Sequence, residues 1–280
     1  MKKFDENKLI AQSLSGDKRA LEQLLVSVQD LVFNLSLRML GTILDAQDAS
    51  QDIMIKIITN LSSFKQSSSF STWVYRLSVN SLMNYKKSFL SKQKLSFEIF
   101  SSDINQIYQD NIIDPINEYE KEELAHELKL SCSNVMLQCL DPQSRCIFIL
   151  GTMFRLDSKT ASEIMDISPE TYRKRLSRIR QKMSDFMGEY CGLAKGKCSC
   201  KERVQYAIKQ ERLNPLDLEY SNLALIPKES ILKNMEAMEA IDVASDVYTH
   251  MRKYSSPQKA KDFLYDLLGS KSIQIIQEAN

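Results

Sequence analysis

Glycine and proline are scarce: seven glycines and six prolines are spread over 280 residues. Long stretches therefore lack the residues that break helices, and apolar side chains recur at spacings of three and four. The chain reads as all-α. Six cysteines are too few for a disulfide scaffold, so the thiols are expected to be reduced and the protein cytoplasmic. Histidine is limited to His126 and His250, no glycine-rich phosphate loop is present, and no nucleophile stands beside a base. Those absences argue against an enzyme. No segment approaches the roughly 18 consecutive apolar residues of a membrane span. Met1-Lys2-Lys3 is followed by Phe4-Asp5-Glu6 and not by an apolar run, so neither a signal peptide nor membrane attachment is expected.

What is present is uneven charge. The net charge is only +1. Residues 65–94, however, hold six Lys/Arg and no acid, whereas residues 98–127 hold nine Asp/Glu and one Lys. The neutral total conceals basic patches separated by an acidic segment, a distribution that suits a polyanionic partner.

The most informative stretch runs from Leu156 to Phe186. It reads as two helices joined by the turn Asp166-Ile167-Ser168, with Ser168 as N-cap and Pro169 at the first helical position. The second helix sets Tyr172, Leu176, Ile179, Met183 and Phe186 on one buried stripe. Its other faces carry Arg173, Lys174, Arg175, Arg178, Arg180 and Lys182, with no acid between Thr171 and Lys182. A basic helix entered through a short capped turn fits the recognition helix of a helix-turn-helix. A merely solvated basic face is the plainer alternative.

Upstream, Asp5 is expected to cap a helix to Leu14, and Ser15-Gly16-Asp17 to turn the chain. A long helix from Lys18 should stop at Gly41. Asp45 reads as the next N-cap, with Asp48 in capping-box position. That third helix buries Ala49, Ile53, Ile57 and Leu61, and exposes Asp48, Gln51, Asp52 and Lys56. A serine-rich loop leads to a fourth helix from Phe70, which carries Trp73, Arg76, Asn80, Asn84 and Lys87.

Here a family resemblance enters. Leu37, Arg38, Leu40, Gly41, Asp45, Ala46, Asp48, Gln51, Asp52, Phe64, Phe70, Thr72, Trp73, Tyr75, Arg76, Leu77 and Asn80 follow the order and spacing of region 2 of bacterial RNA polymerase sigma factors of the extracytoplasmic-function (ECF) group. Leu140 to Arg145 and Ile167 to Leu176 resemble region 4 of the same group, with Glu170 and Lys174 as departures. The resemblance implies a helical region 2 domain over 1–90, an acidic linker over 91–125, a helix-turn-helix region 4 domain over 126–188 and a helical C-terminal extension over 189–280. It implies a transcription initiation factor whose partners are the polymerase core and promoter DNA, with room for an anti-sigma factor. Asp48, Gln51, Asp52 and Lys56 would meet the core. Trp73, Arg76, Asn80, Asn84 and Lys87 would bind the melted minus-ten element, where unpaired bases need aromatic platforms, cations and amide edges. Trp73 reads equally as a core residue. Glu170, Thr171, Arg173 and Lys174 would lie at the bases of the minus-thirty-five element, and Arg175 and Arg178 at its phosphates. The linker reads as a solvated tether, or as an acidic strand that mimics RNA in a polymerase channel.

The extension opens with Cys191, Cys198 and Cys200 on one loop. It resembles a subgroup with a cysteine-bearing extension. Three readings stay open: a structural zinc site completed from a distance, a redox pair with a spare thiol, or packed small residues. Cys132, Cys139 and Cys146 read as packing residues on helices. Helices are expected at 201–210, 229–253 and 257–268, folding back on region 2 or region 4. The competing reading of the whole chain is a stand-alone helix-turn-helix regulator with a metal- or redox-sensing C-terminal segment.

Overall fold

Eight helices begin where a short polar side chain accepts the backbone N–H groups of the first turn. Asp17, Thr42, Ser69, Asn117, Asp141, Asp157, Ser168 and Ser199 are these caps. A computed structural model describes residues 6–85, 95–106, 117–225 and 247–270. In order its helices are α1 (Glu6–Leu14), α2 (Lys18–Leu40), α3 (Ile43–Thr59), α4 (Phe70–Met83), α5 (Phe97–Gln106), α6 (Glu118–Leu137), α7 (Pro142–Phe148), α8 (Ser158–Met165), α9 (Pro169–Tyr190), α10 (Cys200–Lys209) and α11 (Gln258–Gly269). Among the described residues the only β pairing is two isolated bridges, so the fold is all-α.

Gly41 ends α2 as expected. It sits at φ 86° and its N–H donates to the Leu37 carbonyl. α3 begins earlier than a cap at Asp45 predicts. Thr42 is the N-cap: its hydroxyl accepts the Asp45 N–H at 3.2 Å and donates to the Asp45 carboxylate at 2.6 Å. The cap is therefore set one turn upstream, with Asp45 at the third helical position bonded to it twice. The expected cap Asp5, the turn at Asp114-Pro115 and most of the helix at 229–253 lie outside the described residues, as does Lys87.

The acidic stretch is not wholly a solvated tether. Within it α5 buries Phe97, Phe100 and Ile104, and α6 begins at Glu118. Phe97 and Phe100 lie 4.8 and 5.9 Å from Phe186 of α9. The periodic aromatic pair outweighs the local acidity, because each ring brings far more apolar area than its neighbours bring charge. One acid of this stretch is half-buried: the Asp103 carboxylate accepts from Arg203 at 2.7 Å, Arg212 at 2.7 Å and the Tyr206 hydroxyl at 2.9 Å. This fastens α5 to α10.

A single apolar cluster runs through α1 to α4 and on through α7, α8 and α9. A second gathers Phe33, Leu37, Ile43, Ala46 and Leu130 around Tyr220 and Tyr254. The C-terminal extension therefore folds back on the rest, and α11 packs on α2 and α3.

Burial works to raise the Asp103 pKa, but the Arg212 and Arg203 guanidinium groups outweigh it and hold the carboxyl below its ordinary value. A depressed carboxylate stabilises the fold above its unfolded pKa of about 4 and loses that contribution as pH falls further. Asp103→Asn should cost about 3 kcal/mol in denaturant unfolding at pH 7. The gap from the parent chain should narrow as the pH is taken below about 4, because Asp103 then takes up a proton in the unfolded chain before it does so in the folded one. An undiminished gap there would refute the charge argument.

Candidate nucleic-acid interface

The helix-turn-helix forms where the sequence places it. Asp166 closes α8 in the left-handed region at φ 52°, a conformation that Asp tolerates better than most residues. The Ser168 hydroxyl then accepts the Thr171 N–H at 3.2 Å, and Pro169 opens α9. Tyr172, Ile179, Met183 and Phe186 are buried and Leu176 is half-buried, so the stripe faces the core. The Tyr172 hydroxyl donates to the Ile147 carbonyl at 3.0 Å. Gly151 lets this approach happen: a Cβ there would stand 2.6 Å from Leu176 and 2.7 Å from the Tyr172 hydroxyl.

The six cations of α9 divide into two groups. Arg173, Lys174, Arg175 and Arg178 are exposed on one open surface with Glu170. Thr171 beside them is half-buried. Lys174 pairs with Glu170 at 2.7 Å across solvent, which fixes little. Arg173 donates to Ser158 at 3.3 Å. Arg180 turns inward and donates to Thr152 and to the Gly151 carbonyl, both at 3.2 Å. Lys182 lies 4.8 Å from the centre of the Phe97 ring. The charge run in the sequence therefore overstated the open basic surface by one residue, Arg180, since Lys182 stays exposed beside its ring contact.

On α4, Arg76, Asn80 and Asn84 are exposed and spaced by four, so they share one edge. Trp73 is half-buried. It stacks on Phe70 at 5.7 Å and tilts against Phe64 at 5.5 Å, so part of the indole belongs to the core. On α3, Asp48, Asp52 and Lys56 are exposed and Gln51 is half-buried. Lys56 reaches across to the Ser81 hydroxyl at 3.1 Å.

The cysteine loop is tight. Cys191 and Cys198 form a parallel bridge, with the Gly192 N–H donating to the Cys198 carbonyl at 2.9 Å. Cys132 of α6 packs against the same apolar cluster as Cys191 and Cys198. Burial raises the pKa values of these three and of Cys200, so the thiols are protonated and poor nucleophiles. Among the described residues no group of three or more His, Cys, Asp or Glu is placed to hold a metal ion. As the loop stands, the three cysteines do not fit a closed zinc site.

The family model for Sigma-70 region 2 matches residues 24–88, and that for Sigma-70 region 4 matches residues 134–183. The chain belongs to the sigma-70 factors of RNA polymerase, ECF type. Its relatives include the RNA polymerase sigma-H factor of Pseudomonas aeruginosa, 24% identical over 63% of this chain and 90% of that protein. The ECF RNA polymerase sigma factor SigW of Bacillus subtilis is 26% identical over 62% and 92%. The ECF RNA polymerase sigma-E factor of Escherichia coli K12 is 27% identical over 62% and 89%. As a sigma factor the chain directs RNA polymerase to promoters, and its helix-turn-helix is the DNA-binding part of region 4. Neither family match extends beyond Met183.

The structure shows what the sequence reading passed over: regions 2 and 4 of this sigma factor are packed together. Arg38, 2% exposed, donates to Asn134 of α6 and to the Arg252 carbonyl, both at 2.5 Å. Arg145 of α7 donates to the Met39 carbonyl at 2.5 Å. Arg76 of α4 donates to the Glu163 carbonyl of α8 at 3.0 Å, where the two helices lie against each other. Arg38 and Arg145 were visible as motif residues, but nothing in their neighbourhoods announced partners about a hundred or two hundred positions away.

Gly151→Ala should destabilise region 4 by about 1–3 kcal/mol, because packed aromatic and leucine side chains must yield to one methyl group. Tyr172→Phe should cost about 1 kcal/mol, the worth of one buried hydrogen bond. Thermal unfolding monitored alongside minus-thirty-five duplex binding checks both. A more stable Gly151→Ala protein would show that the contact is slack.

Proposed function

We propose a division of labour among the exposed side chains of this sigma factor. Glu170, Thr171, Arg173 and Lys174 occupy the first two turns of α9, the part of a recognition helix that meets base edges in the major groove. Arg175 and Arg178 flank them and suit phosphates, which position without specifying. Arg76, Asn80 and Asn84 form the edge that would take the melted minus-ten strand, and Lys87 follows in sequence. Trp73 contributes the exposed part of its ring. Asp48, Gln51, Asp52 and Lys56 on α3 offer a polar helix face to the polymerase core. An anti-sigma factor is a further proposed partner, and cytoplasmic residence the matching location. The role is regulatory and not enzymatic. Among the described residues no helix is long and apolar enough to cross a membrane.

The observation that carries this reading is the open, acid-poor surface of α9 in a chain that also holds region 2. The direct experiment is transcription from defined promoters by purified bacterial core polymerase with and without the chain. Tight sequence-specific duplex binding by the chain alone at physiological salt, with no stimulation of the core, would favour a stand-alone regulator instead. Zinc at Cys191, Cys198 and Cys200 stands as a separate proposal. Binding would have to displace the thiol protons and draw the side chains together. Metal content below about 0.1 equivalent in anaerobically purified protein would remove it.

Arg173→Ala should cost about 1–3 kcal/mol of promoter affinity and relax specificity at one upstream base pair. Arg178→Ala should weaken binding evenly across promoter variants and flatten the salt dependence by about one unit. Identical behaviour of the two variants across a promoter panel would show that readers and positioners have been sorted wrongly. Asp48→Ala and Asp52→Ala should lower core affinity without shifting promoter preference.

A further inference from the structure

The extension lies beyond both family matches, yet it is wired into both regions. Glu127 of α6 is 3% exposed, and its carboxylate accepts the N–H groups of Tyr220 and Ser221, both at 2.8 Å, and the Ser221 hydroxyl at 2.7 Å. On α2, Asn34 accepts the Tyr254 N–H at 2.9 Å and donates to the Tyr254 carbonyl at 2.6 Å. Asp30, one turn earlier, accepts the Ser256 N–H at 2.6 Å. The two gripped segments are bonded to each other. Leu225 and Tyr254 form an antiparallel bridge, and the Ser255 N–H donates to the Ala224 carbonyl at 2.8 Å. The Tyr220 and Tyr254 rings share one apolar cluster with α2, α3 and α6, and the Tyr220 hydroxyl donates to the Gly41 carbonyl at 3.0 Å. A two-part clip thus joins α2 of region 2 to α6, the helix that leads into region 4.

The joined arrangement does not match the spacing of a promoter. Elements at minus ten and minus thirty-five are about 25 base pairs apart, roughly 85 Å along B-DNA. In this chain Arg76 touches Glu163 of the helix-turn-helix. One chain cannot span both elements while α4 and α8 stay in contact. The recognition surface of α9 remains open, so the closed form withholds the simultaneous grip and not duplex contact as such. The clip also sets α11 against α3, the helix proposed to meet the core.

We infer that the segments at 220–225 and 254–256 act as a tethered inhibitor, holding regions 2 and 4 closed until core polymerase displaces them. The inference rests on the sigma reading, because polymerase is the displacing partner. It is tested on the full chain with the photo-reactive residue benzoylphenylalanine in place of the exposed Glu163. In the free protein this should crosslink within the chain to residues 70–83. The crosslink should be lost in a complex with core polymerase and promoter DNA. Asn34→Ala combined with Glu127→Ala should cut the crosslink yield at least about fivefold and tighten core binding by a similar factor. A crosslink that persists in the promoter complex overturns the inference without recourse to any clip variant. So does a doubly substituted chain with undiminished crosslinking, or with core affinity unchanged or weaker. Failure of the sigma reading looks different: the unaltered chain would give no promoter-dependent transcription with core, whatever its crosslinking.

Discussion

A helix leaves its last carbonyls without partners, and the way α2 solves that problem organises the molecule. The Leu37 carbonyl is taken locally by Gly41. The Arg38 carbonyl is taken by Gln138 at 3.3 Å, the Met39 carbonyl by Arg145 and the Gly41 carbonyl by Tyr220. One helix end of region 2 is thereby satisfied by region 4 and by the extension. The Arg38 guanidinium sits in the same joint, where among the described residues it donates to the neutral Asn134 amide oxygen and Arg252 carbonyl, with the Tyr254 ring 5.6 Å away. Burial pulls its pKa down, but an arginine stays charged in proteins, so the joint must keep its acceptors in place. An uncompensated buried cation costs several kcal/mol, which makes this contact set close to all-or-none.

The same economy shapes the DNA-facing helix. Arg180 satisfies the Gly151 carbonyl and Thr152 beside a widened turn at Ile149–Met153, where the Phe154 N–H reaches back to Ile149 at 2.9 Å. Lys182 covers Phe97. These two cations make contacts within the fold because their positions on α9 fall beside the Ile149–Met153 turn and α5, although Lys182 stays exposed. Arg173, Lys174, Arg175 and Arg178, all exposed, lie nearer the start of the helix, where a recognition helix enters its groove.

The helix-turn-helix, the capped helices and the region 2 pattern were legible because their causes are local. Ser168 and Thr171, Asp17 and Ala20, and Leu37 and Gly41 interact over three or four positions, so order along the chain already encodes the contact. Even the misplaced start of α3 is a local error, one turn long, since Thr42 and Asp45 offered the same chemistry as the cap chosen. The α5 segment misled for a different reason. Its acids face solvent or the Arg203–Arg212 pair, while its aromatic residues need α9 to reveal what they bury.

By itself the sequence determined the fold class, the two sigma regions and which helix faces are apolar, since helical period, caps and motif spacing act over a few residues. Only the tertiary structure decided that the regions close on each other and that Arg180 is turned away from the open surface. It also decided that Glu127, Asn34 and Asp30 grip the extension. Those contacts join residues some 30 to 230 positions apart, and a buried hydrogen bond over such a separation is specified by packing around both partners, not by any pattern near either one.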